Sequence, residues 1–310
     1  MPHTTLNQSP STPYPNTIGW IALLLSLLTI PQITLGQRLK ESDLGTTLWL
    51  ELDTAPFPHE SRAEGYTRRD TTYPFEEHYN DKTVLVFTPK GYKPLNSIDF
   101  LIYFHGHRNH VRQAVDVFRL REQLVASGRQ LVLVFPQGPY NASDSSCGKM
   151  ADQDGLKLLL KDICGHYPVP FGSDDPAIGR VVLSGHSGAY LGIGQCLKVG
   201  GLRDHIDEVH LLDASYGQWD AYVGWMAEDP ASHRFFSIFT DHLAAANVGM
   251  ITELQARGLT ATLVGDRFET LGGGPWPQRV FVHSRLSDHN QAVAWLERSL
   301  RARKPVAAED

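Results

Sequence analysis

From about residue 46 onward, short β-rich runs alternate with segments in which apolar residues recur every three to four positions. Some of the β-rich runs, such as 131–135 and 180–183, are almost continuously apolar. Strands of that composition are typical of a parallel sheet whose two faces are covered by helices. The alternation therefore predicts one α/β domain with an eight-stranded, mostly parallel sheet and helices on both faces. The eight predicted strands are 46–53, 82–88, 99–104, 130–135, 180–184, 208–212, 234–240 and 279–283.

Six helices are predicted between and after these strands from the spacing of apolar residues. No separate lid domain is expected, because the stretch between the strands 208–212 and 234–240 is short and one helix occupies much of it. The predicted helices are 109–126, 156–164, 189–197, 221–227, 244–257 and 291–303.

The first 36 residues differ in composition from the rest of the chain. Residues 1–17 are polar, residues 18–30 form a mostly apolar run, and the small residues Thr34 and Gly36 suit cleavage by signal peptidase. The run is shorter than the roughly 20 residues that a membrane span needs. We expect 1–36 to be a signal peptide and 37–310 the mature domain, which would be secreted or periplasmic. An uncleaved membrane anchor is the alternative, because no Lys or Arg precedes the run.

Charge and cysteine content exclude several classes of protein. The formal net charge of −6 offers no basic surface for a polyanion, so nucleic acid is not an expected partner. The three cysteines, Cys147, Cys164 and Cys196, contain no C-x-x-C pair for zinc or redox chemistry. In an oxidising compartment Cys147 and Cys164 could form a disulfide and leave Cys196 free, whereas the alternative is three reduced, buried thiols.

The segment 180–190 carries the pattern of a nucleophile elbow, a sharp turn between a strand and a helix. Ser187 lies at the turn, and the residues two before and two after it, Gly185 and Ala189, are small enough to avoid a collision there. An elbow also needs an oxyanion hole. Gly188 would supply one amide, and the amide of His107, in the loop after the strand 99–104, would supply the other.

A serine nucleophile needs a histidine base and an acid later in the chain. His289 follows the last predicted strand and is the expected base, whereas His283 lies at the end of that strand, where a structural histidine is commoner. Two aspartates follow strands at suitable places. Asp213 is preferred as the acid because small and polar residues follow it, and Asp241 is the alternative.

These motifs together resemble the α/β-hydrolase superfamily over about residues 46–303. Exported bacterial, esterase-like members are similar also in the phrases at 135–139 and 212–217, and this similarity favours Asp213 as the acid. The resemblance implies an eight-stranded sheet and no cofactor. It implies a serine hydrolase that cleaves carboxylic esters of a small-molecule acyl substrate through an acyl-enzyme. A peptidase or amidase with the same triad and a catalytically silent binding protein on this fold are the alternatives.

A metal-dependent hydrolase is a further alternative, since His105, His107 and His110 have the spacing of a zinc-binding loop. Asn109 stands where such loops carry an aspartate, which removes an anionic ligand, and a metal site would leave the serine elbow unexplained. No metal is therefore expected.

Overall fold

The computed structural model describes residues 38–93, 97–166, 177–266 and 276–301. All of them belong to one compact unit, Ile33–Asp310. The predicted signal peptide, 1–36, lies outside the described residues. None of the described helices is long and apolar enough to cross a membrane.

Ten strands form one sheet, and two more form a separate hairpin. The strands are β1 (Arg38–Ser42), β2 (Gly45–Glu51), β3 (Tyr66–Arg68), β4 (Thr71–Tyr73), β5 (Thr83–Pro89), β6 (Ser97–Phe104), β7 (Val132–Pro136), β8 (Ala177–His186), β9 (Ile206–Leu212), β10 (Arg234–Phe239), β11 (Thr262–Gly265) and β12 (Arg279–His283). The order in the sheet is β1-β2-β5-β7-β6-β8-β9-β10-β12-β11. The seven strands from β7 to β11 are parallel, whereas β5, β2 and β1 are antiparallel to their neighbours.

The predicted class, a mostly parallel sheet covered by helices, is confirmed. The sheet has ten strands among the described residues, not eight. Both additional strands are at its edges, and neither has a long apolar run: β1 reads Arg-Leu-Lys-Glu-Ser and β11 has four residues. An edge strand with polar or few residues gives a weak sequence signal, because it does not have two buried faces.

Helices cover both faces of the sheet. The helices are α1 (Phe75–His78), α2 (Val111–Val117), α3 (Leu120–Ser127), α4 (Gly155–His166), α5 (Tyr190–Val199), α6 (Trp219–Glu228), α7 (Ala244–Ala256) and α8 (Leu296–Arg301). Apolar residues of α4, α5, α6 and α7, such as Leu159 and Trp225, pack into one core. Those of α2, α3 and α8, such as Leu124 and Leu296, pack into a second core on the other face.

The predicted helix 109–126 is two helices in the structure. Arg119 separates α2 from α3 and has a left-handed backbone conformation with φ of 51°, which a helix cannot continue through. The side chain of Gln123 donates hydrogen bonds to the carbonyl oxygens of Phe118, at 2.8 Å, and Val293, at 3.1 Å. These bonds of Gln123 connect α3 both to the end of α2 and to the C-terminal segment. The predicted helix 291–303 begins as a 3₁₀ helix (Gln291–Trp295) before α8, and residues 302 and 303 are outside the described part.

The three cysteines are buried and unbridged, so the structure does not contain the considered Cys147–Cys164 disulfide. Cys147 precedes a short 3₁₀ helix (Gly148–Ala151) and faces α5, where its Cβ lies 3.4 Å from the position that a side chain on Gly192 would occupy. Cys164 lies on α4. Cys147 is close enough to Cys196 to raise the pKa of its thiol. The nearness of Cys147 and Cys164 in sequence therefore does not predict which thiols are neighbours in the fold.

Candidate active site

Ser187 lies where β8 ends and a 3₁₀ turn (Ser187–Ala189) leads into α5. Its φ of 56° is left-handed, a conformation that costs a residue other than glycine about 1–3 kcal/mol. The turn leaves no room for larger neighbours. A Cβ on Gly185 would lie 2.5 Å from the Cβ of Ala189, and one on Gly106 would lie 2.6 Å from the Cβ of Ser187. Glycine at both positions leaves room for the strained, half-buried serine at the end of the strand.

Three of the residues singled out in the sequence are brought together at this turn. The side chain of Ser187 lies 2.9 Å from Nε2 of His289, and Nδ1 of His289 lies 2.6 Å from Oδ2 of Asp213. The ionised carboxylate can only accept, so Nδ1 of His289 carries the proton. Nε2 is then an acceptor, and the hydroxyl of Ser187 donates to it. This is the protonation pattern that a general base needs.

Asp213 follows β9, is fully buried and has a left-handed backbone with φ of 50°. Its carboxylate also accepts hydrogen bonds from the backbone amide of Thr240, at 2.9 Å, and from the hydroxyl of Thr240, at 3.0 Å. Burial alone would raise the pKa of Asp213, but the hydrogen bonds from His289 and Thr240 outweigh it and lower that pKa. The acid is therefore held ionised.

Asp241, the alternative acid, lies elsewhere at this edge of the sheet. Its side chain is 79% exposed and lies 2.7 Å from Nε2 of His283. No hydrogen bond or ion pair joins Asp241 to His289 within the described chain. The two residues that compete in the sequence for the roles of acid and base are thus bonded to each other.

A second histidine, His242, also approaches the acid. Its Nε2 lies 3.8 Å from Oδ2 of Asp213. Because the Thr240 hydroxyl donates to Asp213, its oxygen accepts from Nδ1 of His242 at 2.8 Å. In neutral His242, Nε2 then accepts from the hydroxyl of Tyr216 at 2.7 Å. No motif in the sequence marks Thr240 or His242 as part of the site.

Tyr216 connects this second network with His289. Burial and the nearby negative charge of Asp213 raise the pKa of Tyr216 to about 12. The phenol is therefore protonated at neutral pH. Its ring also meets that of His289 edge to face, with centroids 6.5 Å apart. Tyr216 can therefore help to hold the imidazole of His289 in place.

The loop after β6 brings the predicted oxyanion donor to the serine. The close approach of Gly106 places the peptide between residues 106 and 107 beside Ser187. The imidazole of His107 packs on Gly188, the other proposed oxyanion donor. A Cβ on Gly188 would lie 2.7 Å from Cδ2 of that ring. The backbone amide of His107 makes no hydrogen bond to any described residue. It is thus free to bind an oxygen atom of a ligand.

His105 is a structural residue of this loop. The backbone amide of Gly138 donates to Nε2 of His105 at 3.1 Å, so Nε2 is unprotonated and Nδ1 donates to the carbonyl oxygen of Gly106 at 2.7 Å. Burial lowers the pKa of His105 to about 4. Gln137 lies against Nε2 of His105 at 2.9 Å and accepts from the amide of Val111, which ties the loop to α2.

His186 supports the histidine of the site from behind. Its Nε2 donates to the backbone carbonyl of His289 at 2.9 Å, and the two rings pack with centroids 4.4 Å apart. Burial lowers the pKa of His186 to about 4, and the ring is neutral at pH 7. In the sequence, His186 is simply the residue before the serine in the elbow. Its role as a support for His289 depends on a contact between residues 103 positions apart.

The metal-binding alternative at His105, His107 and His110 is not assembled in the structure. The ring nitrogens of His105 bond to residues 106, 137 and 138, Nε2 of His107 bonds to Ser145, and His110 stacks on Tyr140. Across the described ranges, one group of three possible ligands lies within 4.8 Å, formed by Asp213, His242 and His289. The atoms of that group already hold the hydrogen bonds given above.

Neither a protein-family model nor a curated protein matches the chain. Solved structures do match it. An S-formylglutathione hydrolase from Agrobacterium tumefaciens is 11% identical with a TM-score of 0.48, over 85% of this chain and 96% of that one. A fluorophosphonate-binding serine hydrolase of Staphylococcus aureus is also 11% identical with a TM-score of 0.48, over 84% and 100%. The feruloyl esterase module from Clostridium thermocellum is 12% identical with a TM-score of 0.47, over 79% and 95%.

The chain has an α/β-hydrolase fold. The evidence for it in this structure is the largely parallel sheet, the strand-turn-helix at Ser187 on β8, and the acid and histidine that follow β9 and β12. The connection between β9 and β10 contains one α-helix, α6, among the described residues, which agrees with the expectation that no large lid is present.

A cleft of about 540 Å³ opens in front of Ser187. The connection between β2 and β5, which includes the β3–β4 hairpin, forms one of its walls. No motif in the sequence marks this connection as part of a site. Tyr190 and Tyr216 supply aromatic surface on another side. The lining residues are Arg62, Tyr66, Arg68, His107, Ser143, Asp144, Ser145, Ser146, Ser187, Gly188, Tyr190, Leu191 and Tyr216.

Proposed function

We propose that the protein is a serine hydrolase that cleaves carboxylic esters through an acyl-enzyme. The observation that carries the proposal is the pair of hydrogen bonds that join Ser187 to His289, at 2.9 Å, and His289 to Asp213, at 2.6 Å. This order of serine, neutral imidazole and ionised carboxylate is the arrangement that activates a hydroxyl as a nucleophile.

In the acylation step, Nε2 of His289 takes the proton of Ser187 while Oγ forms a bond to the ester carbonyl carbon. The negative charge moves to the carbonyl oxygen, and the amides of Gly188 and His107 donate hydrogen bonds to it. Asp213 keeps His289 in the correct tautomer and stabilises its charged form. The C–O bond to the alcohol then breaks, and His289 returns the proton to the departing alkoxide.

Water completes the reaction by the same route. His289 takes a proton from a water molecule, whose oxygen attacks the acyl carbon. The bond from that carbon to Oγ of Ser187 breaks, and His289 protonates the serine. The products are an alcohol and a carboxylic acid, and the chain returns to its starting state.

Esters are favoured over amides on chemical grounds, because an alkoxide leaves with less need for protonation than an amine does. Matched para-nitrophenyl esters and para-nitroanilides of the same acyl group test this preference. Faster turnover of the ester by several orders of magnitude supports an esterase. Comparable rates would favour the amidase alternative.

Labelling with a fluorophosphonate tests the nucleophile directly. The probe should modify Ser187, as identified by peptide mass spectrometry, and Ser187→Ala should lose about 10³-fold or more in kcat while remaining folded. Ser184→Ala is a matched control. Ser184 is a buried serine on the same strand whose Oγ has no hydrogen-bond partner, so its removal should leave labelling and turnover intact. Labelling at another serine, or activity that survives in Ser187→Ala, would contradict the proposal.

A further inference from the structure

Two arginines near the cleft have no carboxylate partner. Arg68, at the end of β3, donates from one terminal nitrogen to the backbone carbonyl of Ser143 at 3.2 Å and to Nδ1 of His107 at 3.3 Å. Arg108 donates from Nε to the hydroxyl of Ser143 at 2.8 Å. Within the described ranges, no carboxylate lies within ion-pair distance of either guanidinium. The wall of the cleft around Ser143 is therefore positively charged.

The other ionic groups of the cleft neutralise each other. Arg62 binds Asp144 with two hydrogen bonds, of 2.6 and 3.1 Å. The same carboxylate accepts from the hydroxyl of Tyr79 and from the backbone amide of Ser146. Asp144 is buried, and each of its two oxygens accepts two of these four hydrogen bonds, so the carboxylate is not available to Arg68.

The imidazole ring of His107 lies between Arg68 and the proposed oxyanion hole. The guanidinium can only donate, so Nδ1 of His107 accepts from it, and Nε2 of His107 donates to Ser145 at 2.8 Å. That ring packs directly on Gly188. A ligand whose carbonyl oxygen occupies the oxyanion hole therefore has the free N–H groups of Arg68 within reach of its next few atoms.

We infer that the substrate of this site carries a carboxylate close to the scissile ester, and that Arg68 binds it. The inference rests on the proposed function. Arg68 is suited to the task because a planar guanidinium binds a carboxylate through two parallel hydrogen bonds. Three of its five N–H groups, on Nε and the second terminal nitrogen, have no described partner. Tyr190 and Tyr216 would bind the uncharged part of the same molecule.

The carboxylate could belong to the acyl group or to the alcohol, and two pairs of probes distinguish these sources. On the acyl side, para-nitrophenyl hemiglutarate is compared with its methyl ester. On the alcohol side, para-acetoxybenzoate is compared with methyl para-acetoxybenzoate. In each pair the neutral partner carries a methyl ester in place of the carboxylate, so it has no charge. We expect the anionic member of at least one pair to have the higher kcat/KM.

Arg68→Gln should remove this preference. The value of kcat/KM for the anionic ester should fall about tenfold, mainly through KM, because one charge-assisted hydrogen-bonded contact is lost at an exposed site. The ratio of kcat/KM for the anionic ester to that for the neutral ester should therefore fall. Arg68→Lys should restore part of the preference. Arg69→Gln is the matched control, since Arg69 is the adjacent arginine in the turn of the same hairpin and is not among the residues that line the cleft.

Binding to the Ser187→Ala protein separates this inference from the proposed function. Saturation-transfer NMR with para-acetoxybenzoate, para-nitrophenyl hemiglutarate and their methyl esters measures affinity without turnover. Tighter binding of an anion, lost in the Ser187→Ala/Arg68→Gln protein, supports the anion site even where no ester is cleaved. Absence of labelling at Ser187 would overturn the hydrolase proposal alone. Equal binding and turnover of both members of both pairs, or a preference that survives in Arg68→Gln, would overturn the inference.

Discussion

His283 donates a hydrogen bond of 2.7 Å from Nε2 to the carboxylate of Asp241, across the ends of the parallel neighbours β12 and β10. Asp213 accepts its bond from His289 at 2.6 Å. Each carboxylate therefore has its own histidine. The two pairs differ in environment, because Asp213 is fully buried and Asp241 is 79% exposed.

This separation gives the first prediction. Asp213→Asn should lower kcat by about 10⁴-fold, because an asparagine amide stabilises the wrong tautomer of His289. Asp241→Asn should change kcat by less than about threefold, since an exposed ion pair contributes little. Steady-state kinetics of both variants with one activated ester measure the difference. Similar losses in the two variants would show that the carboxylates share the role.

Tyr216 gives the second prediction. Tyr216→Phe keeps the ring beside His289 but removes the hydroxyl that donates to His242. One neutral hydrogen bond contributes about 1 kcal/mol, so kcat should fall roughly fivefold to tenfold. His242→Gln should reproduce part of the loss if the tyrosine acts through His242. An unchanged rate in Tyr216→Phe would show that its hydroxyl is not used.

The local parts of the site could be predicted from the sequence. The elbow depends on residues within a few positions of Ser187, whose small size follows directly from the tight turn. The candidate His289 follows from the fixed order of the elements. Asp213 was preferred over Asp241 on the composition of its loop, and the structure places Asp213 beside His289.

The surroundings of the site could not be predicted, because they depend on contacts between distant segments. Arg68 reaches His107 from a two-stranded hairpin whose three-residue strands carry no periodic signal. Tyr216 and His242 follow different strands, and only the sheet brings them together. The break at Arg119 is equally invisible to apolar spacing, since α2 and α3 continue the same pattern on both sides of it.

Two buried histidines give the third prediction, on stability. The pKa values of His105 and His186 in the folded protein are about 4, below the ordinary value of 6.5. Between these two values the unfolded chain binds protons that the folded chain does not, so stability falls as the pH falls. Each histidine contributes up to about 1.4 kcal/mol per pH unit in this window. Urea unfolding of Ser187→Ala at several pH values from 7.5 to 4.5 measures the slope.

A variant separates these histidines from the other titrating groups. His186→Gln keeps a donor for the carbonyl oxygen of His289 but does not titrate, so the slope between pH 6.5 and 4.5 should be smaller. The depressed pKa of Asp213 affects stability only at pH values below the ordinary carboxylate range, and it does not contribute to this window. A stability that is flat over the window in the parent protein would contradict the neutral state of the two rings.

The fourth prediction concerns the cysteines. After denaturation without reductant, all three should be alkylated by iodoacetamide, because the structure holds them as free thiols. In the native protein the reaction should be slow. Burial raises the pKa of Cys147 to about 12, and it raises that of Cys196 as well, so little thiolate is present at neutral pH. Intact mass before and after labelling counts the thiols, and a count of one after denaturation would reveal a disulfide.

The last prediction concerns the N-terminus. The apolar run 18–30 is too short to span a bilayer comfortably, and Thr34 and Gly36 stand three and one positions before the expected cut. When the full chain is made in a bacterium, the exported protein should therefore begin at Gln37. Top-down mass spectrometry of the periplasmic and membrane fractions measures this directly. The Gly36→Trp substitution should block the cut and leave the chain in the membrane fraction, because signal peptidase requires a small residue at this position. Intact Met1 on the parent chain in the membrane fraction would instead show that the run serves as an anchor, and the hydrolase domain would then act at the membrane surface.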